Sequence, residues 1–144
     1  MSKSLGNVIR IRDALKDYTA QELRYYFASH HYRQAVVISD AGLRQARHGL
    51  NALRNNFNAF ASSVVGNGSL RNGKKLIALT ERTEEKFRRC MDNDFNTPQG
   101  LAVLVVWGRR LRGFTKPGLG VDMESKQKAE NAFRRLAGVF GILS

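Results

Sequence analysis

The sequence predicts an all-α protein organised around an antiparallel four-helix bundle. Apolar residues recur at alternating steps of three and four from Leu43 to Val64, which is the pattern of a long helix with one apolar stripe. Three further segments show helical apolar spacing, with glycine or proline between them. Because each stripe must be buried against partners, four such helices favour a bundle.

Two short helices are predicted before the bundle. The first covers residues 13–17 and follows an extended apolar stretch at 8–11. The second begins at a T-x-x-E capping box formed by Thr19 and Glu22, and it ends near Ser29.

The first long helix follows a connector over residues 31–39 that is extended at 36–38. Ser39 or Asp40 is expected to cap this helix. Its stripe consists of Leu43, Ala46, Leu50, Leu53, Phe57, Phe60 and Val64. Glycine and asparagine at 66–69 and 72–73 predict that a loop follows.

Three more long helices complete the predicted bundle. One covers about residues 74–91. The next has Thr97 as N-cap and Pro98 at its first position, and it stops at Gly113. After a loop that reaches Val121, the last helix carries a stripe made of Ala129, Phe133, Leu136, Phe140 and Leu143.

The charge of the chain favours a polyanionic partner. Its 24 Lys and Arg residues exceed its 12 Asp and Glu residues, which gives a net charge of +12. An excess of this size favours nucleic acid or an acidic membrane surface as the partner. Arginines are spread along the chain, so a disordered basic tail is not expected. No apolar run is long enough to predict a membrane span, so no membrane partner is expected.

Cys90 and Trp107 are expected to be core residues. A single cysteine excludes an internal disulfide framework and fits a reducing, cytosolic-type compartment. Trp107 lies on an apolar helix, where burial is a simpler explanation than stacking on a base.

The candidate residues for contacting nucleic-acid phosphates are arginines, because the guanidinium group offers forked donors that fit phosphate oxygens. Arg44, Arg47 and Arg54 share one face of the first long helix, and Arg109 and Arg110 lie on a later one. Other basic clusters contain Arg88, Arg89, Arg112, Arg134 and Arg135. For any one of these arginines, the alternative is a solvated helix face.

Two other groups have simpler explanations than a catalytic or metal site. His30 and His31 lack nearby third and fourth metal donors, so no metal site is predicted. His31 and Arg33 are both expected to pack and form hydrogen bonds at a subdomain junction. Asp92 and Asp94 resemble a paired-carboxylate site. Their place before a helix start is explained by favourable electrostatics at the helix N-terminus.

The first seven residues, Met1-Ser2-Lys3-Ser4-Leu5-Gly6-Asn7, resemble the end of the K-M-S-K-S signature of class I aminoacyl-tRNA synthetases. That signature is a mobile loop of an ATP site. The resemblance implies a catalytic role for Lys3, which would stabilise the charge that develops on the leaving pyrophosphate. It also implies ATP binding by Met1, Ser2, Lys3 and Ser4.

Three further stretches resemble cysteinyl-tRNA synthetases: residues 11–24, the H-Y-R motif at 31–33 and the D-F-N-T-P block at 94–98. The resemblance implies a signature loop and connecting subdomain over 1–40. It also implies a helical bundle of the class I anticodon-binding type over 41–144. A related ligase that joins cysteine to an amino sugar in mycothiol synthesis shares this framework and stays open as an alternative.

The resemblance further implies a parent enzyme that activates cysteine with ATP and Mg and attaches it to its tRNA. The H-I-G-H element and the zinc site of the family are absent from this chain, so the chain alone is expected to be inactive. Two other classes stay open. One is a free-standing RNA-binding module without catalysis, and the other is a scaffold that docks proteins through its basic surface.

Overall fold

The computed structural model describes residues 10–64, 70–116 and 120–143. These residues form six helices and no strand, so the all-α prediction is confirmed. The helices are α1 (Ile11–Asp17), α2 (Ala20–Ala28), α3 (Asp40–Ala61), α4 (Leu70–Asp92), α5 (Thr97–Gly113) and α6 (Met123–Val139). The signature loop, the glycines at 66 and 68 and most of the predicted stretch at 8–11 lie outside the described residues, and Ile11 is already helical.

The four long helices, α3 to α6, form the bundle, and successive helices run in opposite directions. The side chains of Leu53 and Asn56 on α3 lie within 3.6 Å of the position that a Cβ atom of Gly108 on α5 would take, while α4 packs against both α5 and α6. The centre of the bundle contains Phe57 stacked on Phe133, with ring centroids 4.5 Å apart. Aromatic side chains from distant helices therefore fill one shared core.

The apolar stripe predicted for α3 is buried from Leu43 to Phe60, but the inclusion of Val64 is wrong. Val64 is 90% exposed because α3 ends at Ala61. Lys126 of α6 donates hydrogen bonds from Nζ to the carbonyl oxygens of Ala61 and Ser63, each at 2.7 Å. This buried ammonium satisfies acceptors that the end of the helix leaves unpaired.

Three predicted helix starts can be compared with the observed caps. The capping box of α2 is confirmed, since the Thr19 side chain and Glu22 each accept the other residue's backbone N–H. Ser39 caps α3, which is one of the two predicted residues. The prediction for α5 is wrong by one residue: Asn96 Oδ1 accepts from Gln99 N at 3.1 Å, while the Thr97 hydroxyl donates to the carbonyl of a distant histidine.

The predicted loop at residues 72–73 is also wrong, because both residues lie inside α4. Gly73 is placed where a Cβ atom would collide with the carboxylate of Asp122. That carboxylate caps α6 by accepting from the backbone and hydroxyl of Ser125, both at 2.8 Å. The glycine is therefore required by close packing of α6 on α4, and not by a turn.

Replacing Gly73 with alanine should displace this cap. We expect Gly73→Ala to be about 1–2 kcal/mol less stable than Gly138→Ala, since loss of a cap costs about that much. Gly138 of α6 has no atom within 4 Å of a built Cβ, so its replacement should gain about 0.5 kcal/mol. Urea denaturation of both variants measures the difference, and equal stabilities would contradict the packing argument.

Burial agrees with the prediction for both core candidates, since Trp107 is 1% exposed and Cys90 is 7% exposed. Among the residues in the described ranges, no three His, Cys, Asp or Glu side chains come close enough to bind a metal together. No helix in the same ranges is long and apolar enough to cross a bilayer.

Candidate nucleic-acid interface

The three arginines predicted on one face of α3 do share that face, and it packs against the two short helices. We call Arg44, Arg47 and Arg54 the arginine seam. Each of them binds an acceptor within the chain. Arg47 and Arg54 therefore join the short helices to the bundle, in addition to any role toward RNA, while Arg44 pairs within α3.

Arg47 makes the most contacts in the arginine seam. Its Nε donates to Glu22 Oε1 at 2.8 Å, and its guanidinium lies 4.4 Å from the centroid of the Tyr18 ring. It also donates to the carbonyl of Asp17 at the end of α1. One side chain thus contacts α1, α2 and Tyr18, which lies between them.

Glu22 is the buried acid of this contact, with only 6% of its surface exposed. Burial raises its pKa, but hydrogen bonds from Arg47 and Thr19 outweigh that effect, so the pKa of Glu22 is lowered overall. The carboxylate is therefore charged at neutral pH and paired across the α2–α3 contact. The sequence predicts a capping role for Glu22 but not its ion pair with Arg47.

The other two members of the arginine seam have single partners. Arg54 donates to Gln21 on α2, and Arg44 pairs with Asp40 one helical turn earlier. Arg44 and Asp40 are both more than half exposed. Assignment of these arginines to RNA stays a prediction.

The predicted arginines of α5 lie at the surface. Arg109, Arg110 and Arg112 are all exposed. Arg109 lies near Tyr25, where burial raises the pKa of the phenol and the charge of Arg109 opposes that rise. Arg112 makes only a 3.4 Å contact with Asn56. These guanidiniums are therefore accessible to a ligand.

Most other basic clusters are partly neutralised. On α4, Glu85 accepts from both Arg88 and Arg89, and Glu84 pairs with Arg135 of α6. The guanidinium of Arg134 lies 5.0 Å from the ring centroid of a core phenylalanine. Exposed ion pairs of this kind still attract phosphates, but more weakly than unpaired cations do.

Two sequence motifs that lie far apart along the chain meet at one carboxylate. Arg33 donates to Asp94 through Nε at 2.7 Å and through a second nitrogen at 3.0 Å, which is a bidentate pair. The Tyr32 hydroxyl donates to the same carboxylate at 2.5 Å. We call Tyr32, Arg33 and Asp94 the motif clasp, which ties the connector before α3 to the turn between α4 and α5.

The turn that holds the motif clasp is unusual. Asp94 and Phe95 have φ values of 55° and 47°, in the left-handed region that non-glycine residues seldom adopt. The Thr97 hydroxyl donates to the His30 carbonyl at 3.3 Å, which adds a second link. Both motifs therefore hold the connector against the turn between α4 and α5, and Arg33 forms hydrogen bonds there as predicted. That this contact is a subdomain junction stays a prediction.

The explanation of Asp92 and Asp94 by helix electrostatics is wrong. Asp92 is the last residue of α4, and the first turn of α5 contains no acidic residue. Asp94 is oriented by Arg33 and Tyr32. Sequence spacing could not show this pair, because the two residues are 61 positions apart.

The motif clasp should weaken at acid pH. The hydrogen bonds from Arg33, and then from Tyr32, lower the pKa of Asp94 to about 2. Because this value lies below the ordinary value of about 3.9, the clasp stabilises the fold above that pH and is lost as pH falls toward 2. The stability difference between wild type and Asp94→Asn should therefore shrink between about pH 5 and pH 2.

Urea denaturation at several pH values measures this difference. The matched control is Asp92→Asn, since Asp92 has no ion pair among the described residues. A stability difference for Asp94→Asn that does not change with pH would contradict the role of the carboxylate.

The sequence of the chain is similar to those of known aminoacyl-tRNA synthetases. Residues 1–48 match the family of class I tRNA synthetase (C) catalytic domains, and residues 86–144 match the DALR domain family. A cysteine–tRNA ligase of Tolumonas auensis is 37% identical over 99% of this chain. Cysteine–tRNA ligases of Heliobacterium modesticaldum and Symbiobacterium thermophilum are 32% and 34% identical, each also over 99% of the chain.

Over nearly its whole length, the chain is similar to cysteine–tRNA ligases. It spans 28–31% of the length of these curated relatives. Its all-helical structure is consistent with the DALR domain of class I synthetases, as predicted.

The two family matches cover different parts of the chain. The catalytic-domain match ends within α3, and the DALR match begins within α4. The described residues form two buried apolar clusters, and the smaller one includes Tyr18, Tyr26 and Leu43. Because α3 contributes to both clusters, the predicted division at residues 40 and 41 stays a prediction.

Proposed function

We propose that this chain is the tRNA-binding part of a cysteine–tRNA ligase whose whole enzyme activates cysteine with ATP and Mg. The observation that carries the proposal is the similarity of 99% of the chain to such ligases. The net charge of +12 supports RNA as the partner. A cytoplasmic location is part of the same proposal.

The bundle would bind RNA mainly through phosphate contacts. Arg109, Arg110 and Arg112 are exposed along the C-terminal part of α5, where guanidinium donors can reach a phosphate backbone. Arg44 is also more than half exposed. Contacts of this kind position the RNA without reading its bases, so cysteine specificity would need further contacts.

The signature loop would contribute to ATP chemistry. Lys3, with Ser2 and Ser4, lies outside the described residues, so this part of the proposal rests on the motif alone. Lys3 would meet the negative charge that builds on pyrophosphate as cysteine attacks the α-phosphate. Because α1 follows within the same segment, the arginine seam would connect this loop to the RNA-binding bundle.

Hydroxyl-radical footprinting of cysteine tRNA tests the proposal. We expect the chain to protect a continuous stretch of backbone on the inner side of the L-shaped tRNA. Arg109→Gln combined with Arg110→Gln should weaken that protection more than Arg88→Gln combined with Arg89→Gln does, since Glu85 pairs with the latter two.

Absence of protection at any protein concentration would contradict the proposal. The scaffold and the amino-sugar ligase would then become the leading alternatives, since neither requires tRNA. Equal protection of every nucleotide would show that the chain binds RNA only through a non-specific basic surface.

A further inference from the structure

A groove of about 450 Å³ lies between α4 and α5. Arg82 and Lys86 of α4 line one side, and Arg110 of α5 lines the other. Val106 and Trp107 contribute apolar surface. The size is typical of a site for a small molecule or for one nucleotide.

The three cations of the groove are the ones that the neighbouring acids leave unpaired. Within the described residues, Arg82, Lys86 and Arg110 make no ion pair or hydrogen bond, and no acidic residue lines the groove. By contrast, the three glutamates of this part of α4 bind other cations, namely Lys128, Arg135 and the pair Arg88 and Arg89. Like charges placed this close repel each other, so the arrangement favours an anionic ligand.

Trp107 provides an independent observation. Its side chain is 1% exposed, and its indole Nε1–H has no acceptor in the described part of the chain. Buried donors without a partner are rare in folded proteins, because each one loses its hydrogen bond to water. The groove is therefore lined by three unpaired cations and by a tryptophan whose indole N–H has no acceptor in the described part of the chain, and this combination has the features of a binding site.

We propose that this groove binds one unstacked nucleotide of a bound RNA. Its phosphate would lie against Arg82, Lys86 and Arg110, and its base would lie against Val106 and Trp107. Proteins often recognise RNA by taking a base out of the stack and packing it on an apolar or aromatic surface. The inference rests on the proposed function and adds a defined subsite to it.

Trp107 is the only tryptophan of the chain, so its fluorescence reports on the groove directly. We expect cysteine tRNA to quench this fluorescence as it binds. Arg82→Gln and Lys86→Gln should each weaken binding about three- to tenfold and reduce the salt slope by somewhat under one unit. Lys74→Gln is the matched control, because Lys74 is an exposed cation on the same helix, about 12 Å before Arg82 and about 18 Å before Lys86 along the axis.

Val106→Gln separates base contact from charge. Val106 is 46% exposed, so the change leaves the core intact and removes no cation. We expect weaker tRNA binding with an unchanged salt slope. Titrations with AMP and with inorganic phosphate show whether the groove takes a free nucleotide or a phosphate alone.

The outcomes separate the inference from the proposed function. If tRNA binds without changing Trp107 fluorescence, and Arg82→Gln behaves like Lys74→Gln, the groove inference fails and the proposed function stands. If tRNA does not bind, both fail. If AMP quenches Trp107 fluorescence and binds with the same affinity as tRNA, the groove is a small-molecule site. The assignment to an RNA nucleotide is then overturned.

Discussion

Replacing Phe133 with alanine should lower the free energy of unfolding by about 3–5 kcal/mol. Phe133 is fully buried and stacks on Phe57 with a centroid distance of 4.5 Å and an interplanar angle of 8°. It also lies 5.2 Å from the ring centroid of Trp107. One side chain thus connects α3, α5 and α6, and its loss would leave a cavity that the surrounding rings cannot fill.

Urea denaturation followed by tryptophan fluorescence measures this effect. Val139→Ala is the control on the same helix, since Val139 is 60% exposed and its truncation should change stability by less than about 0.5 kcal/mol. A loss below about 1 kcal/mol for Phe133→Ala would show that the bundle core is not packed as described.

Replacing Arg47 with glutamine should release the two short helices from the bundle. The Glu22 carboxylate, buried between α2 and α3, would lose its cation, and the Asp17 carbonyl and Tyr18 ring would lose their contacts. A buried charge without a partner strongly favours local opening. Amide exchange over α1 and α2 should therefore accelerate about tenfold or more, while exchange in α4 to α6 stays unchanged.

Hydrogen exchange followed by mass spectrometry resolves these segments. Arg44→Gln is the matched control, because both Arg44 and its partner Asp40 are largely exposed and contribute little. If Arg47→Gln and Arg44→Gln show the same exchange over α1 and α2, Arg47 does not hold the short helices on the bundle.

The fold could be predicted largely from local patterns. The α3 stripe from Leu43 to Phe60 is buried as its spacing indicates, and the Thr19 capping box forms where the motif predicts it. The errors concern tertiary contacts that local patterns do not report. Gly73 is a turn former in isolation, yet it lies inside α4, where the carboxylate of Asp122 leaves no room for a Cβ atom.

The site was predicted less completely, for the same reason. Spacing placed Arg44, Arg47 and Arg54 on one face, but it could not show that this face binds α2. The pairing of Arg33 with Asp94 and the groove around Arg82 and Arg110 each require residues from separate helices or connectors. Only the folded chain shows which cations are paired and which remain accessible.

The measurement that tests the central claim most directly is a titration of the chain with labelled cysteine tRNA and one unrelated tRNA at several salt concentrations. The account predicts tight binding that weakens steeply with salt, because phosphate contacts release counterions. Tighter binding of cysteine tRNA than of the unrelated tRNA would show that this segment contributes to the tRNA specificity of the ligase. No binding of either tRNA at low salt would contradict the account.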